Sequence, residues 1–282
     1  MVILGKIMLI PPKYFLTPHI SQSLSQIEAC KEIVDSVPIP LEIEQNIRRQ
    51  STLRSSLFSA KIEGNPLTLD DLPRLPSKDQ KKVEVYNVLR ALNWIYQRSA
   101  RDITLKDILT LHDYSMRGII DSSELGKYRT KHEGIFTSHG FAVYHAPPPS
   151  QIPTFLTRLL KFINSNKEPF VPIRATLAHF TFEKIHPFTD GSGRVGRLLL
   201  IMVLAKGGYS MKGILPFEEK IDKKREVYYQ MLEESERDVT SYLEFMLEIL
   251  SEASQEAKKL VLEKQKVNEE DLLLPRRAEI FR

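Results

Sequence analysis

The sequence predicts an all-α fold, a bundle of helices with one small β-hairpin. Apolar residues recur every three or four positions along most of the 282-residue chain, which is the spacing of one face of an α-helix. Prolines and glycines interrupt this spacing at intervals, as they do between helices. Only residues 134–145 depart from it, because they alternate β-branched, aromatic and polar side chains around a Ser-His-Gly sequence. That alternation is typical of a hairpin.

Nine segments carry the helical spacing. In chain order they are residues 20–37, 41–63, 80–99, 105–117, 151–165, 173–185, 192–205, 220–236 and 240–267. Pro38 and Pro40 separate the first two segments, and Gly64 and Pro66 follow the second. The hairpin lies between the fourth and fifth segments. Because an isolated hairpin is only marginally stable, we expect it to pack on the helices.

Composition favours a soluble protein of the cytoplasm. A hydrophobic share of 42% and a charged share of 27% are ordinary for a globular protein with a full core. Cys30 is the only cysteine, so no internal disulfide can form. The N-terminus lacks the pattern of a signal peptide, and the longest apolar run, residues 198–205, is far shorter than the ~20 residues of a membrane span. We therefore expect no contact with a membrane.

The net charge of +4 comes from basic and acidic residues that are mixed along the chain. A dense basic stripe with interleaved aromatic residues is the usual signature of nucleic-acid binding, and the sequence has none. We therefore expect the charges to lie on solvated helix faces, and nucleic acid is not an expected partner.

Residues 186–197 combine groups that suit phosphate chemistry. His186 precedes a proline, which predicts the end of a helix, and it can accept a proton near neutral pH. The glycine-rich loop that follows opens another helix, and such a loop presents free N–H groups to an anion. Arg194 and Arg197 are three residues apart, so they share a helix face and can both contact that anion. Asp190 supplies a hard oxygen ligand suited to Mg²⁺.

Each of these residues has an ordinary structural explanation when it is taken alone. His186 could cap a helix, Asp190 is a common turn residue before glycine, and single arginines are usually surface charges. Their combination within one short segment favours phosphoryl or nucleotidyl transfer. The lysine-containing P-loop pattern and the His-Glu-x-x-His pattern of zinc enzymes are both absent from the sequence.

The segment resembles the signature of the Fic family, His-x-Phe-x-Asp/Glu-Gly-Asn-Gly-Arg-x-x-Arg. It matches at every signature position but one, because Ser192 stands where the family has Asn. Residues 126–129 and 179–185 and the pair Tyr228-Tyr229 are also similar to the family, so the resemblance covers roughly residues 45–250. It implies the Fic fold and the transfer of AMP from ATP to a Tyr, Thr or Ser hydroxyl of a target protein.

The resemblance also implies a role for each site residue. His186 would be the base that deprotonates the target hydroxyl, and Asp190 would hold Mg²⁺. The residues that would bind the phosphates of ATP are Gly191, Ser192, Gly193, Arg194 and Arg197. Tyr228 and Tyr229 would line the adenine side.

The predicted hairpin corresponds to the flap of the family. Its residues Phe136, Thr137 and Ser138 would hold a strand of the target protein by main-chain hydrogen bonds. The target itself is unknown. Gly193 stands where kinase-like Doc proteins have a lysine, which favours AMP transfer over phosphorylation. Ser192 is shorter than Asn, so we expect reduced activity that Ser192→Asn would raise.

Residues 59–65 resemble the inhibitory helix of Fic proteins that restrain themselves. Ser59 and Glu63 lie one helical turn apart, and Gly64 is a natural helix terminator. Taken alone, the motif describes an amphipathic helix with a C-terminal glycine. In such relatives the Glu binds the second signature arginine, here Arg197, as a bidentate clamp and displaces the γ-phosphate. In some relatives the same Glu positions a water that removes AMP, so the resemblance also suggests a reversing activity.

Three regions are expected. Residues 1–102 form an N-terminal helical region with the inhibitory motif at 59–64, residues 103–250 form the catalytic core, and residues 251–282 form a helical tail. The tail segment 273–280 resembles the start of a winged-helix module. Relatives commonly form dimers, which suggests a homodimer. The alternative function is an ATP-sensing regulatory module with little turnover.

Overall fold

The computed structural model describes residues 8–98, 101–132, 134–136 and 142–271. The helices within these ranges are α1 (Pro18–Ser36), α2 (Leu41–Ile62), α3 (Gln80–Gln97), α4 (Leu105–Met116), α5 (Ile152–Ile163), α6 (Val171–Ile185), α7 (Ser192–Lys206), α8 (Phe217–Lys223), α9 (Arg225–Leu232) and α10 (Thr240–Asp271). The predicted helical fold class is confirmed. Thr137 and Ser138, and the tail segment 273–280, lie outside the described residues.

Two short strands occupy the position of the predicted hairpin. Strands β1 (Gly134–Phe136) and β2 (Ala142–His145) pair antiparallel, with Ile135 opposite Tyr144. The register shifts between Ile135 and Phe136. The strands lie between α4 and α5 in the chain.

Helices α6 and α7 form the centre of the molecule. Nearly every residue of both helices is buried, so neither needs the one-sided apolar pattern of a surface helix. They pack on each other, while α3 and α4 pack against α7, and α5 and α10 against α6. The loop 186–191 that joins the two central helices is therefore held by buried elements on both sides.

The two ends of the described chain pack together. Helix α1 lies along α10, and Thr17 joins them because its hydroxyl donates to Glu244 Oε1 at 2.5 Å and accepts from the backbone N–H of Ile20 at 3.2 Å. The backbone N–H of Val239 donates to Lys13 O at 2.8 Å. Among the described residues, no helix has the length and apolar character that crossing a membrane requires.

The prediction of one helix at residues 220–236 is wrong. The chain forms two short helices there, α8 and α9, and it bends at Lys224, where φ is −117° and ψ is 31°. Helix α8 buries Phe217 and Ile221 beside α2 and α10, whereas α9 buries Tyr228 beside α6. Because the two halves pack against different helices, one straight helix would leave part of this apolar surface exposed.

Candidate active site

The loop after α6 begins with an unusual backbone conformation at His186. Its φ of 45° and ψ of 65° are left-handed, whereas a residue before proline usually prefers an extended conformation. Arg129 holds this turn, since its Nε donates to His186 O at 2.7 Å and its backbone N–H donates to Pro187 O at 2.9 Å. Surrounding contacts of this kind are what maintain a strained backbone.

Arg129 also ties the loop to the residues that flank the strands. It is 2% exposed, and its Nη1 and Nη2 donate to Lys131 O at 2.9 Å and Pro147 O at 2.7 Å. From the sequence, Arg129 stood out only because residues 126–129 resemble the family. The long range of its contacts, across 57 residues to His186, is why no local pattern assigned it a role.

The imidazole of His186 is partly buried, and burial lowers its pKa. The positive charge of Arg129 lowers the pKa further. Both effects favour the neutral ring at neutral pH, and only a neutral imidazole can accept a proton from a substrate.

His112, on α4, contacts the same loop. No role was predicted for it from the sequence. Its ring stacks on Phe188 with 3.9 Å between centroids. Nδ1 accepts a hydrogen bond from the backbone N–H of Gly126 at 3.0 Å, so the proton is on Nε2, which lies 3.1 Å from Asp190 O and donates to it. A buried histidine on a helix carries no sequence signal that separates such a bridge from ordinary core packing.

The glycine-rich loop is closed by Ser192. This residue is 2% exposed, and its Oγ accepts from Phe188 N and donates to Phe188 O, both at 3.1 Å. Its one hydroxyl proton is therefore used inside the loop. Gly191 has a φ of 84°, and a Cβ there would lie 2.5 Å from Met116 Sδ, so this position requires glycine.

Arg197, on α7, lies beside the end of α2. Its side chain is 1% exposed, and Nη2 is 2.9 Å from Glu63 Oε1. Nε donates to Ser59 Oγ at 3.1 Å and Nη2 to Ser59 O at 2.9 Å. The expected pairing of Ser59 and Glu63 with this arginine is present. Ser59 accepts from both nitrogens of the Nε–Nη2 edge, so the expected bidentate clamp cannot form on that edge.

Gly193 lies where the carboxylate of Glu63 reaches the loop. A Cβ at this position would be 2.5 Å from Glu63 Oε1 and 3.3 Å from Arg197 Nη1. The contact between Glu63 and Arg197 therefore needs a glycine here, for steric reasons that the sequence alone does not reveal.

Arg194 is held by two carboxylates. Nη2 is 2.9 Å from Asp190 Oδ1, and Nη1 is 3.4 Å from Glu84 Oε1 on α3. The side chain of Asp190 is 52% exposed. A single accessible carboxylate fits Mg²⁺, which is usually held by one or two carboxylates together with phosphate oxygens and water. The described residues contain no group of three or more acidic, His or Cys side chains that could hold a metal by themselves.

The two adjacent tyrosines on α9 differ in their exposure and in their hydrogen-bond partners. Tyr228 is 1% exposed, and its hydroxyl is 3.1 Å from Nε2 of the buried His179. Tyr229 is 43% exposed, and its hydroxyl donates to Ile62 O, at the end of α2, at 3.2 Å. Of the pair, Tyr229 therefore has the accessible ring.

A further carboxyl group, that of Glu183, is buried near Arg197. Burial raises its pKa to about 8; the charge of Arg197 opposes this shift and that of Glu63 adds to it. Its Oε1 is 3.7 Å from His179 Nε2, but burial lowers the pKa of His179 to about 3, so this contact is not an ion pair. A Cβ on Gly196 would lie 1.9 Å from Glu183 Oε1, so the carboxyl group needs the glycine.

Comparison with known proteins agrees with this fold and loop. The sequence profile of the Fic/DOC family matches residues 102–204. A crystal structure of a Fic family protein from Desulfovibrio desulfuricans G20 is 32% identical, with a TM-score of 0.74, and the match covers 88% of this chain and 77% of that one. Fic-1 from C. elegans shares the fold, with a TM-score of 0.70 at 20% identity, over 88% of this chain and 73% of that one.

The architecture is thus that of a Fic fold, with the glycine-rich loop between its two central helices. The chain belongs to the Fic family. It is also similar to the "Protein adenylyltransferase Fic" of Drosophila melanogaster, at 29% identity over 213 residues. That match covers 71% of this chain and 40% of the fly protein, so the chain spans about two fifths of the length of this curated relative.

Proposed function

We propose that this chain is a protein adenylyltransferase, restrained by its own α2, that transfers AMP from ATP to a Tyr, Thr or Ser hydroxyl of a target protein. The observation that carries the proposal is the contact of Glu63 with Arg197 beside a glycine-rich loop that begins with a neutral histidine. Family membership and the similarity to the fly protein named adenylyltransferase support the reaction type.

In this proposal His186 accepts the proton of the target hydroxyl. The hydroxyl oxygen forms a bond to the α-phosphorus of ATP, the bond to the β-phosphate bridging oxygen breaks, and pyrophosphate leaves. Arg194, Arg197 and the N–H groups at the start of α7 counter the phosphate charge, which they do well because they are fixed before the nucleotide arrives. Mg²⁺ held at Asp190 would supply further positive charge.

Glu63 restrains the reaction through competition. Its carboxylate occupies one edge of Arg197, and a γ-phosphate brought to the same guanidinium would meet a like charge. The side chain of Glu63 is 31% exposed, so water screens that repulsion only in part. Triphosphate binding therefore requires Glu63 to move. The flap, a reversing activity, a homodimer and a cytoplasmic location stay predictions from the sequence.

The test is Glu63→Gly, incubated in parallel with ATP labelled at the α- and at the γ-phosphate. We expect faster incorporation of α-label into the protein itself or into lysate proteins than with the unmodified chain, and no γ-label. Glu42→Ala, at an exposed position near the start of α2, is the matched control and should behave as the unmodified chain. Adding His186→Ala should abolish labelling.

The other possible outcomes would each contradict a part of this proposal. Label from the γ-position alone would mean phosphorylation. ATP binding with neither label would support the ATP-sensing module instead. If Glu63→Gly labels no faster than the unmodified chain at saturating ATP, the restraint by α2 is refuted.

A further inference from the structure

Arg194 has a partner that the proposed reaction does not use. Its side chain is 5% exposed, and Glu84 Oε1 lies 3.4 Å from Nη1. Glu84 belongs to α3, outside the loop and outside the inhibitory motif. The Nε of Arg194 is buried and has no hydrogen-bond partner among the described residues. Nη1 of the guanidinium is thus held by α3 and Nη2 by Asp190, while Nε has no partner in the described part of the chain.

Glu84 is itself fixed. Its Oε2 accepts from Asn65 Nδ2 at 2.7 Å. Asn65 is 5% exposed, and the same amide nitrogen donates to Lys81 O at 2.8 Å, while Asn65 Oδ1 accepts from Leu67 N at 3.1 Å. The backbone N–H of Asn65 donates to Ala60 O at 3.1 Å. An amide bonded on so many sides gives Glu84 little freedom to turn away from Arg194.

These contacts join the two signature arginines through α2 and α3. Glu63 contacts Arg197, Asn65 follows two residues later and contacts Glu84, and Glu84 contacts Arg194. The two carboxylates differ in their geometry. Glu63 lies 2.9 Å from its arginine and against the glycine loop, whereas Glu84 lies 3.4 Å away on α3 and shares its charge with the Asn65 amide.

We propose that Glu84 is a positioning residue for nucleotide binding, which holds the Nη1 end of Arg194 and so fixes the guanidinium beside the glycine-rich loop, and that Asn65 fixes Glu84. The inference rests on the proposed binding of ATP at the glycine-rich loop. A long arginine side chain loses rotamer entropy when it is immobilised, so prior fixation favours binding. Asp190 alone cannot provide this, because it is half exposed and would turn to the nucleotide's metal ion.

The experiment measures Kd for ATP and for ADP by calorimetry, with the full chain carrying Glu63→Gly so that the restraint is absent. We expect Glu84→Ala to weaken the binding of both nucleotides about tenfold, as the loss of a charge-assisted contact would. Glu84→Gln, which keeps the shape and one acceptor oxygen, should lie between the two. Asn65→Ala should weaken binding in the same direction but less, and Arg90→Ala, exposed on the same helix, should not change it.

The deciding comparison repeats Glu84→Ala and Glu84→Gln in the presence of Arg194→Ala. If Glu84 acts through Arg194, neither change weakens binding further once that arginine is gone. An equal loss in both backgrounds, unchanged binding, or tighter binding by Glu84→Ala would each overturn the inference. The Glu63→Gly parent separates the two proposals: binding by the parent with no effect at Glu84 refutes only this inference. No binding by the parent refutes the proposed function as well.

Discussion

The hydroxyl of Ser192 closes the glycine-rich loop on itself. It receives the N–H of Phe188 and donates to the carbonyl of the same residue, and it is 2% exposed. A serine hydroxyl has one proton to donate, so the hydrogen bond to the carbonyl of Phe188 leaves the side chain with no donor for a phosphate oxygen. An asparagine carboxamide has two N–H donors and an acceptor oxygen. It can therefore keep both hydrogen bonds with Phe188 and still present one N–H to the nucleotide.

Ser192→Asn should therefore raise the rate of AMP transfer in the presence of Glu63→Gly. The rate of α-label incorporation at saturating ATP measures this. Ser192→Ala is the control, because it loses both contacts with Phe188 and should be slower than serine. An asparagine variant slower than the serine parent would show that the loop has no room for the larger side chain.

At the scale of the elements, the end of α2 is held by α8 and α9. Arg54 is 2.6 Å from Glu219 on α8, Lys61 is 3.8 Å from Asp222 at the end of the same helix, and Tyr229 donates to Ile62 O at 3.2 Å. In both ion pairs the cation is partly exposed, at 46% for Arg54 and 39% for Lys61, whereas the carboxylates of Glu219 and Asp222 are 5% and 10% exposed. The Tyr229 hydrogen bond is nearest to Glu63, so it contributes most directly to keeping that carboxylate on Arg197.

Tyr229→Phe should increase α-label incorporation severalfold in the chain that retains Glu63, because a hydrogen bond of this kind is worth about 1 kcal/mol. In the presence of Glu63→Gly the same change should have no effect, since the restraint is already gone. Tyr86→Phe, at a tyrosine of α3 that is 41% exposed, is the matched control. Equal acceleration in both backgrounds would place the role of Tyr229 in nucleotide binding rather than in restraint.

At the scale of the whole molecule, the central helices bury the carboxyl group of Glu183, which would be charged at neutral pH if it were exposed to water. The pKa of Glu183 is about 8 in the folded chain against 4.5 as a reference, because burial and Glu63 raise it more than Arg197 lowers it. Between these values the folded state keeps a proton that the unfolded state releases. The contribution of Glu183 to stability is therefore greatest below the reference pKa and is lost as pH rises toward 8.

Glu183→Gln should remove this dependence, because the amide has nearly the same shape and does not titrate. We expect the unfolding temperature of the variant, relative to the unmodified chain, to be higher at about pH 9 than at about pH 5. Glu226→Gln, exposed on α9, is the control and should give the same difference at both values. A pH-independent difference at Glu183 would mean that its carboxyl group titrates normally in the folded protein.

The sequence by itself determined the helical class and the glycine-rich segment at residues 186–197, whereas the pairing of Glu63 with Arg197 was implied only by the family resemblance. The class and the segment depend on local spacing: 3.6-residue periodicity and a loop between two helices. Only the tertiary structure decided that Arg129, His112 and Glu84 support that loop. Their partners lie 57, 78 and 110 residues away, and a contact between distant elements leaves no period in the sequence. The break at Lys224 has the same origin, because it depends on which helices α8 and α9 pack against.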